Sequence, residues 1–201
     1  MTEFPDGIRK FISDKISEGF DSIHDIVENA ACYASEHFDR ADLKPQIKRM
    51  AIELEAAHRA EQFEWEASTD CDRINEAFNS LNRQGIVARQ NFSCCNNCGF
   101  TEIWDEVEKE ETTQTVEGYV FYHFQCVEQV IESGQLLMAY GTVEDDVEAL
   151  QRVADKIVEE LRRVGLNASR ARGLRRGRGR GRAAPRDARP SGCAAGPRRA
   201  A

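Results

Sequence analysis

The sequence predicts an α+β protein: N-terminal helices, then a small β-sheet of about three strands packed against two helices, then a disordered Arg/Gly/Ala-rich C-terminal tail. Three observations lead there. Apolar residues recur at helical spacing from Phe4 to Leu81, and short β-branched and aromatic runs bounded by glycine follow between Gly85 and Gly141. Beyond Ala168, Leu174 is the one large aliphatic side chain, so nothing there offsets the entropy of ordering. A chain of 201 residues can build a core without disulfides. The expected parts are a helical region, 1–67, an α+β domain, 68–167, and a disordered basic tail, 168–201.

Ile8, Phe11, Ile12 and Ile16 carry the first helix, behind Pro5, whose missing N–H is not needed in a first turn. Ser22 with Asp25 forms a capping-box pattern ahead of Ile23, Ile26, Val27 and Ala30. A third helix starts near Asp42 or Leu43 and sets Ile47, Met50, Ala51 and Leu54 on one face. Phe63 and Trp65 follow as the aromatic anchors by which this region is expected to pack on the rest. The fourth helix is the clearest: Thr69 and Asp72 cap it, Ile74, Ala77, Phe78 and Leu81 form its stripe, and Gly85 supplies its left-handed end. GIVARQNF then reads as a strand. Residues 105–117 read as a solvated loop, because six acids there meet one Lys. GYVFYHF (118–124) is a strand, VEQVIESG a short helix closed by Gly134, and LLMAYG a third strand. A long helix starts at Thr142 and Asp145, buries Val147, Leu150, Ala154, Ile157, Val158 and Leu161, and ends at Gly165. Its stripe and that of the fourth helix are expected to cover one sheet face.

The formal net charge of −8 conceals two unlike parts. Eleven of the 27 basic residues and one of the 35 acidic residues fall in the tail, which leaves the body 16 basic against 34 acidic groups. Such a body repels nucleic acid and anionic membranes. The longest apolar run, Leu136–Tyr140, is far short of the roughly 20 residues of a membrane span, and the first residues hold no apolar signal core. A cytoplasmic protein without a membrane partner is expected. The Arg175–Arg182 run can touch phosphates nonspecifically, yet no aromatic is interleaved to stack on bases. Arg, Gly, Ala and Pro are also what a GC-rich gene yields out of frame, so a frame change near codons 166–169, in place of a last strand, is a further expectation.

Nucleophile elbows, phosphate loops, dinucleotide turns and zinc-protease motifs are missing from the sequence. What stands out is NFSCCNNCGF, residues 91–100, with three of the seven cysteines in five positions. Cys95-x-x-Cys98-Gly99 has the form of a zinc knuckle: two thiolates bite one tetrahedral ion, and the glycine lets the backbone turn toward the sulfurs. His123-x-x-Cys126 offers a second pair, with Cys94 as a replacement for Cys126. The candidate zinc ligands are therefore Cys95, Cys98, His123, Cys94 and Cys126. Two other readings stay open. The cysteines can be apolar filler at a strand end, with His123 a core histidine on the face of Tyr119 and Phe121. Or Cys95 and Cys98 form a redox pair, with His123 as base and Arg89 lowering the thiolate pKa. Against the redox pair, such motifs usually occupy a helix N-terminus, and no helix clearly begins after this one. Glu55-x-x-His58 is half of a di-iron motif that has no second half, and it reads as a solvated helix face.

The strings GIVARQNFSCCNNCG, GYVFYH and LLMAYG resemble a bacterial family known as a domain of unknown function, over about Asp72–Gly165. The resemblance implies a cytoplasmic α+β domain with Cys94, Cys95, Cys98 and His123 in marked positions and no agreed activity. It also implies an acidic residue near position 126, from which Cys126 departs, and a further strand with an aromatic-containing end after Leu166. This chain continues there with Arg, Gly, Ala and Pro. The leading expectation is a non-enzymatic protein-interaction module with an unknown protein partner and a Cys/His zinc site as candidate stabiliser. The alternatives are a thiol-dependent redox enzyme or sensor using Cys95 and Cys98, and nonspecific nucleic-acid binding through the tail.

Overall fold

The structure, a computed structural model, describes residues 6–37, 43–144 and 146–170 and the backbone of 181–186. Phe4 and Pro5 lie outside it. Two compact units divide between Ala67 and Ser68. In the first, α1 (Asp6–Glu18), α2 (Ile23–His37) and α3 (Leu43–Glu61) turn their stripes inward on Ile8, Ile12, Ile26, Ala30 and Ile47. α2 starts as its sequence requires, with Ser22 Oγ accepting the Asp25 N–H at 3.1 Å. α3 runs into a 3₁₀ turn, Gln62–Glu64, after which Trp65 packs edge-on against His58 with ring centroids 5.4 Å apart. Phe63, expected as an anchor, is instead 89 % exposed. The tighter 3₁₀ turn breaks the 3.6-residue period and takes position 63 off the buried stripe.

The second unit is a sheet between layers of helix. α4 (Asp70–Arg83) begins on a reciprocal capping box: Thr69 Oγ1 accepts the Asp72 N–H, and the Asp72 carboxylate accepts the Thr69 N–H. Its end requires Gly85, which has φ 78° and where a Cβ would sit 2.5 Å from the Thr115 carbonyl oxygen. β1 (Ile86–Arg89) runs parallel to β2 (Gly118–Phe121), and β2 antiparallel to β3 (Met138–Thr142); these are the three expected strands. α5 (Asn96–Glu111), α6 (Phe124–Ser133) and α7 (Val147–Arg163) are the further α-helices among the described residues. Alternation along the strands sorts the side chains. Ala88, Val120, Met138 and Tyr140 share one core with Phe78 and Leu81 of α4 and with Ile157 and Leu161 of α7. Val87, Tyr119, Phe121 and Ala139 share another with Ile103 and Val107 of α5.

That second core corrects the solvated loop expected over 105–117, most of which is the latter half of α5. Two buried residues four apart make a stripe too sparse to read amid so many acids. The acids themselves find a counter-charge: Arg89, at the end of β1, donates from Nε to Glu106 at 2.7 Å and from Nη2 to Glu110 at 3.0 Å. The start of α7 is also corrected. Asp146 caps it, accepting the N–H groups of Glu148 and Ala149. Thr142 instead closes the sheet, donating to the Glu117 carbonyl at 2.9 Å, and Asp145 lies outside the described residues.

A strand does follow Leu166. β4 (Asn167–Arg170) pairs antiparallel with β5 (Gly181–Arg186), and β5 pairs antiparallel with β3, giving the order β1-β2-β3-β5-β4. The α+β unit therefore continues past residue 167. β4 is illegible in sequence because it gives the core one apolar side chain, Ala168, which is wholly buried. The rest of the expected disorder falls on 171–180 and 187–201, outside the described residues.

Side chains occupy backbone groups on both outer strands of the sheet, β1 and β4. On β1, Asn82 Oδ1 accepts the Ala88 N–H at 3.0 Å, while Asn82 Nδ2 donates to the Ala88 carbonyl at 3.3 Å and to the Phe78 carbonyl at 2.9 Å. On β4, Arg162 Nε donates to the Ala168 carbonyl at 2.9 Å. Side chains that take up edge amides leave less backbone for another chain to pair with. Among the described residues no helix is long and apolar enough to cross a membrane. Asn82→Ala is expected to cost about 2–3 kcal/mol in urea unfolding, because part-buried backbone groups lose their partner, and to speed aggregation. A variant that matches wild type in both measurements would show that Asn82 does not guard this edge.

Candidate metal centre

After β1 the chain turns through Asn91 and Ser93, both left-handed, at φ 44° and 66°. Two backbone hydrogen bonds hold this turn against the end of β2. The Phe92 N–H donates to the Tyr122 carbonyl at 2.8 Å, and the Phe124 N–H donates to the Ser93 carbonyl at 3.2 Å. The Phe92 ring packs edge-on against Phe121 at 5.8 Å. The turn delivers Cys95 as the N-cap of α5 and places Cys98 in the first helical turn. A helix thus begins within the motif, which corrects the expectation that none follows it. The start was hidden because neither usual sign is present: no oxygen-bearing side chain caps the helix, and its first turn holds no acid.

Gly99 serves packing and not the turn toward the sulfurs that its position after the motif led us to expect. It is buried inside α5, and a Cβ there would sit 2.4 Å from the Phe121 ring. Its N–H continues the helix, donating to the Cys95 carbonyl at 2.9 Å.

The sulfurs of Cys94, Cys95 and Cys98 all lie within 4.8 Å of one another. The three are free thiols, Cys94 exposed and the other two half-buried. Tetrahedral zinc, with Zn–S near 2.3 Å, sets its sulfurs about 3.8 Å apart, so small side-chain rotations close this trio on one ion. His123 and Cys126 do not join it. β2 stops at Phe121, and His123 becomes the N-cap of α6, which corrects its expected place on the strand. Its Nε2 lies 3.3 Å from the sulfur of Cys126, and both residues are buried. Cys126 belongs to the core shared by α4 and α7. Arg89 is engaged by α5 carboxylates, which corrects its expected role beside the thiols.

The three thiols are electrostatically unequal. The Cys98 N–H faces the Cys95 sulfur without forming a strict capping hydrogen bond; with the Cys98 and Cys94 thiols it holds Cys95 below the ordinary thiol range. Cys98 is pushed up to about 11 by its hydrogen bonds to Cys94 and Cys95 and by their charge. The sulfur at the cap position is therefore the more readily ionised of the two, and the one in the first turn the less.

A sequence-family profile described as a domain of unknown function, DUF6891, matches residues 1–176. The chain belongs to the DUF6891 family. The match takes in the helical unit as well as the α+β unit, a wider span than Asp72–Gly165. It also passes Leu166 and the whole of β4, so the family pattern does not end where a frame change near codons 166–169 would end it. No curated protein and no solved structure matches the chain. The family description carries no activity, and a functional reading of this DUF6891 chain rests on the site itself.

Two outcomes follow from the geometry. Gly99→Ala should destabilise the chain by about 1–3 kcal/mol through overpacking against Phe121, and Phe121→Leu should recover part of that loss in the double variant. Strict additivity of the two changes would show that they do not share this contact. Iodoacetamide labelling followed by peptide mapping should modify Cys95 at lower pH than an ordinary thiol and Cys98 last, because a depressed pKa keeps the reactive thiolate populated as pH falls. Equal labelling across the pH range would contradict the unequal pair.

Proposed function

We propose that this chain is a non-enzymatic interaction module whose Cys94, Cys95 and Cys98 hold one soft metal ion, zinc foremost, at an open surface site. The convergence of three sulfurs at the start of α5 carries the reading. Thiolates favour zinc and copper(I) over magnesium or calcium. Three ligands leave one position of a tetrahedral ion unfilled, and the exposure of Cys94 leaves that position accessible to water or to a donor from a partner protein. Structural zinc sites are usually closed by four protein ligands. Here α5 is fixed without an ion, by Ile103 and Val107 in the core and by Arg89 on its carboxylates, so the metal serves contact rather than folding. The partner is a protein with a basic face, since the body presents 34 acidic against 16 basic groups.

Reduced chain dialysed against zinc should retain about one ion per chain by elemental analysis. Cys95→Ser and Cys98→Ser should each weaken binding by more than about tenfold and to a similar extent, and His123→Ala should leave it unchanged. The chelated chain should keep its circular dichroism. Failure to take up zinc ends the metal reading, whereas unfolding on chelation would make the site structural.

A further inference from the structure

We propose that the same loop has a second chemistry, one that needs no metal: Cys95 and Cys98 undergo thiol–disulfide exchange with small-molecule disulfides and close into an intramolecular disulfide at the start of α5. The geometry carries it. Cys95 is the N-cap and Cys98 lies one turn on, with their sulfurs within 4.8 Å. Helical positions three apart set their side-chain carbons about 5–6 Å from each other, and the non-helical cap residue has the freedom to close the remaining gap. Cys94 is not the partner of Cys95. Adjacent Cα atoms are about 3.8 Å apart across a trans peptide, below the roughly 4.4–6.8 Å that an unstrained disulfide spans. Both Cys95 and Cys98 are half-exposed and lie beside exposed Cys94, so an incoming disulfide reaches them without opening the core. Cys126, beside His123, is buried and is left out of the exchange.

The exchange balances in two steps. The Cys95 thiolate attacks one sulfur of R–S–S–R. The S–S bond breaks, R–S⁻ leaves with the electron pair and is protonated by water, and a Cys95–S–S–R mixed disulfide remains. Cys98 loses its proton to solvent and attacks the Cys95 sulfur. The mixed S–S bond breaks, the second R–S⁻ leaves and is protonated, and the Cys95–Cys98 bond has formed. Two protein thiols are oxidised by two electrons, and the small disulfide is reduced to two thiols.

The test uses the full reduced chain, stripped of metal by a chelator, treated with glutathione disulfide, quenched in acid and mapped by peptide mass spectrometry. Wild type should yield a Cys95–Cys98 link with little mixed adduct. Cys98→Ser should accumulate the glutathione adduct on Cys95, and Cys95→Ser should give at least about tenfold less adduct across the trio, since the attacking sulfur is gone. A link that joins Cys95 or Cys98 to any other cysteine, or an adduct that collects on Cys94 in Cys98→Ser, overturns the proposal. So does a wild-type chain that stays reduced, a result that depends on no variant. Zinc uptake is measured separately. A chain that forms the link but binds no zinc refutes only the metal reading, and one that binds zinc but forms no link refutes only the exchange.

Discussion

The contact between Gly99 and the Phe121 ring governs the α5 side of the sheet. Phe121 is wholly buried at the end of β2 and is also touched by Phe92, before the cysteines, and by Phe100, just after them, at 5.8 Å and 5.3 Å between ring centroids. A side chain at position 99 would meet that ring at less than van der Waals distance, so the first turn of α5 lies this close to β2 only because the residue is glycine. With both flanks of the cysteine loop fastened to one aromatic ring, the sulfurs have little choice of where to sit. The convergence of Cys94, Cys95 and Cys98 follows from that fastening.

The sheet separates two environments that treat similar residues differently. α5 and α6 both start with a pair of Cys or His residues at the cap and the first turn, Cys95 with Cys98 and His123 with Cys126. The second pair is buried, and Cys126 packs with residues of α4 and α7. The first pair faces outward beside an exposed third thiol. Burial withdraws one cysteine from solvent, and exposure leaves the others within reach of it. Arg89 links the arrangement to β1. Its guanidinium bridges Glu106 and Glu110 and also donates to Asn82 Oδ1 at 3.0 Å, and Asn82 in turn holds the outer edge of β1. One part-buried network thus joins the edge of the sheet to the helix that carries the sulfurs.

Much of this was legible because it is local. Thr69 and Asp72 three apart fix the start of α4, Gly85 fixes its end, alternation marks β2 and β3, and three cysteines in five positions cannot be far apart in any fold. The sequence by itself determined these elements, the apolar stripe of α4, that of α7 apart from Val147, which is exposed, and the presence of a thiol cluster, since caps, periodicity and short spacings act between residues close along the chain. Only the tertiary structure decided that the acidic run after Trp104 is helix, because its carboxylates are matched by an arginine seventeen and twenty-one residues earlier. It alone decided that His123 and Cys126 part from the cysteine trio, because β2 ends at Phe121 and a new helix begins. It alone made a strand of Asn167–Arg170, whose single buried alanine gains its value from the helices and strands around it. In each case the deciding partner lies far away in sequence, and its energy becomes available only once the chain has closed the loop between them.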